Sequence, residues 1–182
     1  MAQKIRNESE ELFVWHCAPT LAGVKTANLF SVSNIEHSKL SEYIREWNKA
    51  LALKGMRMIA ISKSSAYTLI YIYRIERLKD DLLNPKSVRI LQKGGYCCDN
   101  PQKCLTSLVM RLKTVDDFPH EIGLFLGYPP EDVEGFIKCK GKNFKCVGCW
   151  KVYGDVSSAQ KLFRKYDRCK KDITQSGKEV SL

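Results

Sequence analysis

The sequence predicts a single α/β domain in which a mixed β-sheet is covered by helices. Three observations point there. The chain has 182 residues, 44% of them hydrophobic and 27% charged, the size and balance of one folded domain rather than of a disordered or fibrous chain. Met56–Ser62 and Tyr67–Tyr73 are dense in β-branched and aromatic residues and are separated by the polar Lys63-Ser64-Ser65, which predicts an antiparallel hairpin. The second half reads strand–helix–strand–helix, the pattern of a parallel pair joined by a right-handed crossover.

The elements follow in chain order. Leu12–Cys17 is a short apolar run ending in Ala18-Pro19 and reads as an N-terminal strand entering a loop. Ser33 and Glu36 have capping-box spacing. Behind them Leu40, Tyr43, Ile44, Trp47 and Leu51 recur at helical intervals, and Gly55 stops the helix. After the hairpin, Ile75 to Leu91 reads as two short helices split at Asn84-Pro85. Asn100-Pro101 opens a helix with Cys104, Leu105, Leu108 and Leu112 on one face.

Glu121–Leu126 is nearly continuously apolar, as a buried strand would be. Pro129-Pro130-Glu131-Asp132 starts a helix carrying Val133, Phe136 and Ile137, closed near Gly141. Phe144–Tyr153 reads as a strand. Asp155 caps a last helix that turns Val156, Ala159, Leu162, Phe163 and Tyr166 inward. The domain is expected to span 1–182, with 1–10 and 172–182 frayed.

Lys and Arg number 30 against 20 Asp and Glu, a formal charge of +10, and the excess is spread along the chain. Local runs lie at Lys138, Lys140, Lys142, Lys145 and Lys151, and from Lys161 to Lys171. Such runs serve as solvated faces or as a phosphate-tracking surface. No window approaches the ~18 consecutive apolar residues that span a bilayer, and no apolar core follows the polar start. A cytoplasmic protein without membrane contact is expected, its eight Cys reduced.

Several constellations carry potential chemistry. Cys146-Val147-Gly148-Cys149 is half of a zinc site or a redox dithiol. Residues three apart on a regular strand point to opposite faces, so the two thiols converge only if Gly148 breaks the strand. No second pair completes a four-ligand set, and no metal ligands are assigned. Gly23-Val24-Lys25-Thr26 resembles a Walker loop only superficially, with a residue inserted before the Lys and no leading Gly. Tyr96, Tyr128 and Tyr153 border loops and suit a pocket wall.

His16-Cys17 sits at a predicted strand end, and His120-Glu121 begins another. A thiol beside a histidine and a cation is a candidate nucleophile. That assigns Cys17 as nucleophile or ligand, His120 as acid/base and Glu121 as the orienting carboxylate. Lys25 or Lys151 is the anion partner, and His16, Tyr128 and Tyr153 belong to the binding wall. Cys17 is then expected to alkylate first.

Three blocks carry a resemblance: His16-Cys17-Ala18-Pro19-Thr20-Leu21-Ala22-Gly23 with Lys25 and Asn28, Phe118 to Pro129, and Trp150-Lys151-Val152-Tyr153-Gly154-Asp155. From about Glu11 to Cys169 the chain resembles a family of bacterial proteins catalogued as a domain of unknown function. The resemblance brings no activity, fold or cofactor, and implies a redox or iron-linked setting. Two departures stand out. Cys149 follows Gly148 where the family reads Gly-Tyr-Trp-Lys, and Cys97-Cys98 follow Tyr96 where it reads Gly-Tyr-Pro. Both weaken a shared metal site at those thiols.

The function expected from the residues is a small-molecule-binding or thiol-dependent, enzyme-like protein, with its cofactor undefined. A basic module for nucleic acid or an acidic protein is the alternative, without a recognised motif to favour it. Metal binding through the cysteines is the second alternative.

Overall fold

The structure, a computed structural model, describes residues 13–33, 36–62, 67–114 and 118–176. Residues 13–21 are helical (α1). There follow β1 (Ala27–Ser33), α2 (His37–Leu53), β2 (Met56–Ser62), β3 (Tyr67–Arg74), α3 (Ile75–Leu83), α4 (Pro85–Lys93) and α5 (Pro101–Thr114). The chain continues through α6 (Ile122–Phe125), α7 (Pro130–Cys139), β4 (Cys146–Val147), β5 (Lys151–Val152) and α8 (Val156–Ser176). Among the described residues no helix is long and apolar enough to cross a membrane.

The main sheet has the order β1-β3-β2 and is antiparallel throughout. Its central strand, Tyr-Thr-Leu-Ile-Tyr-Ile-Tyr-Arg, is apolar at nearly every position because both of its faces are covered. Leu69, Tyr71 and Tyr73 point to one side, with Ile61 of β2, and pack against α3 to α7. Ile70 and Ile72 point to the other side with Met56 and Met58, beneath α1 and α2. Each such buried side chain contributes ~1.5–3 kcal/mol. The buried Tyr71 hydroxyl donates to the carbonyl of Phe125 at 2.7 Å, so the sheet also fixes α6. A third, smaller core joins β4 and β5 to α8 through Trp150, Val152, Ala159 and Tyr166.

The α/β domain and the β2–β3 hairpin match the sequence reading. So do the break at Asn84-Pro85 and the helix starts at Pro101, Pro130 and Val156. Asn84, Asn100 and Asp155 each accept a backbone N–H two residues on. Cys104, Leu105, Leu108 and Leu112 are all buried.

Several local readings are corrected. Leu12–Cys17 is not a strand within the described residues. Phe13, Val14, Cys17 and Ala18 are buried at helical spacing, and Pro19 falls in the last turn of α1. Glu121–Leu126 is a short helix rather than a strand. All four residues of α6 are buried, and a wholly buried helix is as unbroken in its apolar run as a buried strand. Phe144–Tyr153 is two short strands, because the chain turns back at Gly148, whose N–H donates to the carbonyl of Trp150 at 3.1 Å. With those strands gone no parallel pair forms among the described residues; β4 and β5 are antiparallel. Ser33 is the last residue of β1, not a helix cap, and Glu36 stands at the N-cap of α2. The first strand of the sheet is Ala27–Ser33, which the sequence reading missed. α8 continues through Ser176, past the point where fraying was expected. Residues 1–10 and 177–182 lie outside the described residues.

Candidate functional site

Lys25 lies in the link between α1 and β1, and that link is held from several sides. The backbone N–H groups of Val24 and Lys25 both donate to the carbonyl of Pro19, at 2.9 and 3.0 Å. Gly23 turns the chain at φ +75°, a conformation glycine adopts without steric cost. Arg74 donates from Nε to the carbonyl of Thr20 and from Nη2 to that of Leu21, at 2.8 and 2.7 Å, and Arg77 donates to that of Gly23. The two guanidinium groups thereby satisfy carbonyls left open at the end of α1. One residue beyond Lys25, the Thr26 hydroxyl donates to Asp81 at 2.5 Å.

This clamp turns the Lys25 side chain inward, where it is 7% exposed. Its Nζ lies 5.4 Å from the ring centre of Tyr128 and 5.7 Å from that of Tyr166. Tyr128 in turn stacks on Trp150 at 4.7 Å, and its hydroxyl lies 3.4 Å from the carbonyl of Cys149. Among the described residues no carboxylate pairs with Lys25. Burial, with Lys170 acting in the same direction and the Cys149 and Cys17 thiols against it, brings the ammonium down to about 8. Burial likewise pushes the Tyr128 phenol up to about 12. It raises Tyr166 and Cys149 as well, with Lys25 and Lys170 opposing it at Cys149.

Of the residues expected at a site, Cys17, Lys25 and Tyr128 come together here. Cys17 belongs to the core beneath α1 and α2 and has no exposed surface. Burial raises its thiol pKa, only partly offset by Lys25, the opposite of what a nucleophile needs. His16 is a neighbour of this region. Its ring stacks on Phe30 at 5.1 Å, and partial burial and then Lys170 lower its pKa.

The remaining residues lie elsewhere. His120 packs edge-on against Phe136 at 4.9 Å, and Lys151 lies over the same ring at 5.7 Å, its Nζ donating to the carbonyl of Gly141 at 2.8 Å. The Glu121 carboxylate lies against Gly94, among the helices on the sheet face opposite to Cys17. Tyr153 packs on Gly135, and its N–H donates to Asp132. A Cys17–His120–Glu121 arrangement is therefore not assembled by these contacts.

Lysines 138 to 151 are partly engaged by the fold itself. Lys138 pairs with Glu134 at 2.9 Å, and Lys145 donates to the carbonyl of Gly154 at 2.9 Å. Cys146 packs in the small core with Trp150, while Cys149 is exposed. Among the described residues no three His, Cys, Asp or Glu side chains are grouped to hold a metal ion.

Tyr166 and Lys170 were not picked out from the sequence as site residues. The signal was available, since residues four apart on α8 share a face, but Lys170 read as one more member of a solvated run. For the thiols, limiting iodoacetamide at pH 7 followed by peptide mass spectrometry is expected to modify the exposed Cys97 and Cys149. Cys17 is expected to stay unmodified until the chain unfolds, and its early labelling would contradict the packing of α1.

The Lys25 ammonium also predicts a pH dependence. Folded, Lys25 releases its proton near pH 8; its ordinary value is 10.5. Between those values the unfolded chain binds more protons, so stability rises with pH, by up to about 1.4 kcal/mol per unit. The penalty is complete below pH 8. Lys25→Met removes it, and even after losing ~1 kcal/mol of cation–π attraction the variant should be about 2 kcal/mol more stable at pH 7. Urea unfolding of both proteins from pH 7 to 9 checks this. The difference between them isolates Lys25 from the thiols and phenols, and it should shrink as pH rises. A constant difference would refute the assignment.

No curated protein and no solved structure matches the chain. The family described as "Protein of unknown function (DUF3793)" matches residues 13–181, which include every side chain around Lys25. The chain belongs to that family.

Proposed function

We propose that this domain binds a small anionic molecule at Lys25, between Tyr128 and Tyr166 and next to Lys170. The observation that carries this reading is a buried ammonium that has no carboxylate partner among the described residues and feels the charge of Lys170. A buried charge is costly unless paired, and two aromatic rings at 5.4 and 5.7 Å offset only part of that cost. An anion held by Lys25 and Lys170 removes the repulsion between them. The partly exposed Tyr128 and Lys170 and the exposed Cys149 form the rim through which such a molecule arrives. A full set of free thiols suits a reducing, cytoplasmic setting.

The test is thermal unfolding with sodium lactate or inorganic phosphate at constant ionic strength. Saturable stabilisation by at least one anion, absent in Lys25→Met, is expected. Equal shifts in both proteins would remove the reading.

A further inference from the structure

We propose that Lys25 is an imine-forming amine, and that the molecule it takes is a small carbonyl compound carrying an anionic group, an α-keto acid being the simplest. This rests on the anion site above and adds a covalent step to it. Four features of the site serve that chemistry. Lys25 is the only buried lysine among the described residues. Two tyrosine rings flank it and limit the water around its Nζ. Among the described residues no carboxylate is placed to hold its proton. Lys170, a second cation on α8 whose Nζ lies over the Trp15 ring at 4.5 Å, acts electrostatically on the same ammonium and favours a substrate with an anionic end.

An amine attacks a carbonyl only when it is neutral. The two ways of arranging this are desolvation and an adjacent cation, and Lys25 has both. With its value near 8, about a tenth of the molecules carry the free amine at pH 7, against fewer than one in a thousand for an ordinary lysine. Lys151 makes the contrast. It also lies over aromatic rings, but its Nζ donates to the carbonyl of Gly141.

In the step itself the Nζ lone pair forms a C–N bond while the carbonyl π pair moves onto oxygen. One proton passes from nitrogen to that oxygen, giving a carbinolamine. The carbinolamine loses its hydroxyl together with the second amine hydrogen as water, and the nitrogen pair closes the C=N bond. Nothing is oxidised or reduced, and the only by-product is one water.

The experiment uses the full chain with limiting sodium pyruvate and sodium cyanoborohydride at pH 7, followed by peptide mapping. The reduced adduct is expected on Lys25 at least tenfold above any other lysine, and lactate should compete with it. Lys25→Arg keeps the charge, so it should retain the lactate-induced thermal shift while losing the adduct; should it not fold, the wild-type measurements decide alone. If lactate stabilises the wild-type chain through Lys25 but adducts spread evenly over surface lysines, the imine proposal falls and the anion site stands. If lactate has no effect and Lys25 carries no excess adduct, both fall.

Discussion

Asp132→Ala is expected to cost about 4 kcal/mol, because it strips three hydrogen bonds from one buried carboxylate. Asp132 sits in the first turn of α7, 3% exposed. Its Oδ2 accepts from the indole Nε1 of Trp150 at 2.7 Å, and its Oδ1 accepts from the backbone N–H groups of Tyr153 and Gly154 at the same distance. The side chain therefore fixes β5 and the turn into α8 against α7. Removing it leaves three donors facing a cavity, each carrying ~1–3 kcal/mol of unsatisfied polarity, and these do not add fully. Trp150 also supports Tyr128, which flanks Lys25, so near-ultraviolet dichroism from the stacked rings should weaken too. Urea unfolding measures the loss, and a change below about 1 kcal/mol would show that the three bonds do not hold this corner.

Gly127→Ala should cost about 3 kcal/mol, from two separable sources. Gly127 has φ +75°, where an L side chain is strained, by ~1–2 kcal/mol. A Cβ there would also lie 2.5 Å from Thr26 Oγ1 and 2.7 Å from Thr26 Cβ. Thr26 has little room to yield, since its hydroxyl is bonded to Asp81, a half-buried carboxylate whose pKa burial raises and this hydroxyl lowers. Gly55→Ala is the control. It has φ +66° with no atom within 4 Å of the added carbon, so it should show the conformational cost alone. Thermal unfolding of the two variants side by side separates strain from contact; equal losses would exclude the Thr26 clash.

Much of the fold was legible because its signals are local. Asparagine or aspartate before a helix, and proline at its first position, specify a start through a single side-chain bond, and Asn84, Asn100 and Asp155 each mark one. The errors cluster in continuous apolar runs. α6 is buried at every position, and the run before Pro19 is apolar even at the exposed Trp15, so neither a period of two nor of 3.6 is visible in the sequence. Gly148 had been noted as a place where a strand could break, and it is where the chain turns.

The site was less legible than the fold. Lys25 and Tyr128 were named from the sequence, but as accessories to Cys17. What makes Lys25 the centre of the proposed site is the approach of α8, more than a hundred residues away in the chain. Nothing in local spacing reports that the Tyr166 ring flanks it and the charge of Lys170 acts on it, nor that the sheet places Glu121 on the face away from Cys17.

The tie between α2 and β2 bears on how the protein behaves in a crowded solution. β2 is an edge of the main sheet, with outward backbone groups that a foreign strand would ordinarily seize. At Met58 both groups are already taken: its N–H donates to Asn48 Oδ1 at 2.8 Å, and its carbonyl accepts from Asn48 Nδ2 at 2.9 Å. One carboxamide thus imitates a neighbouring strand over a single residue, and denies a foreign strand its hydrogen bonds at that point of the border.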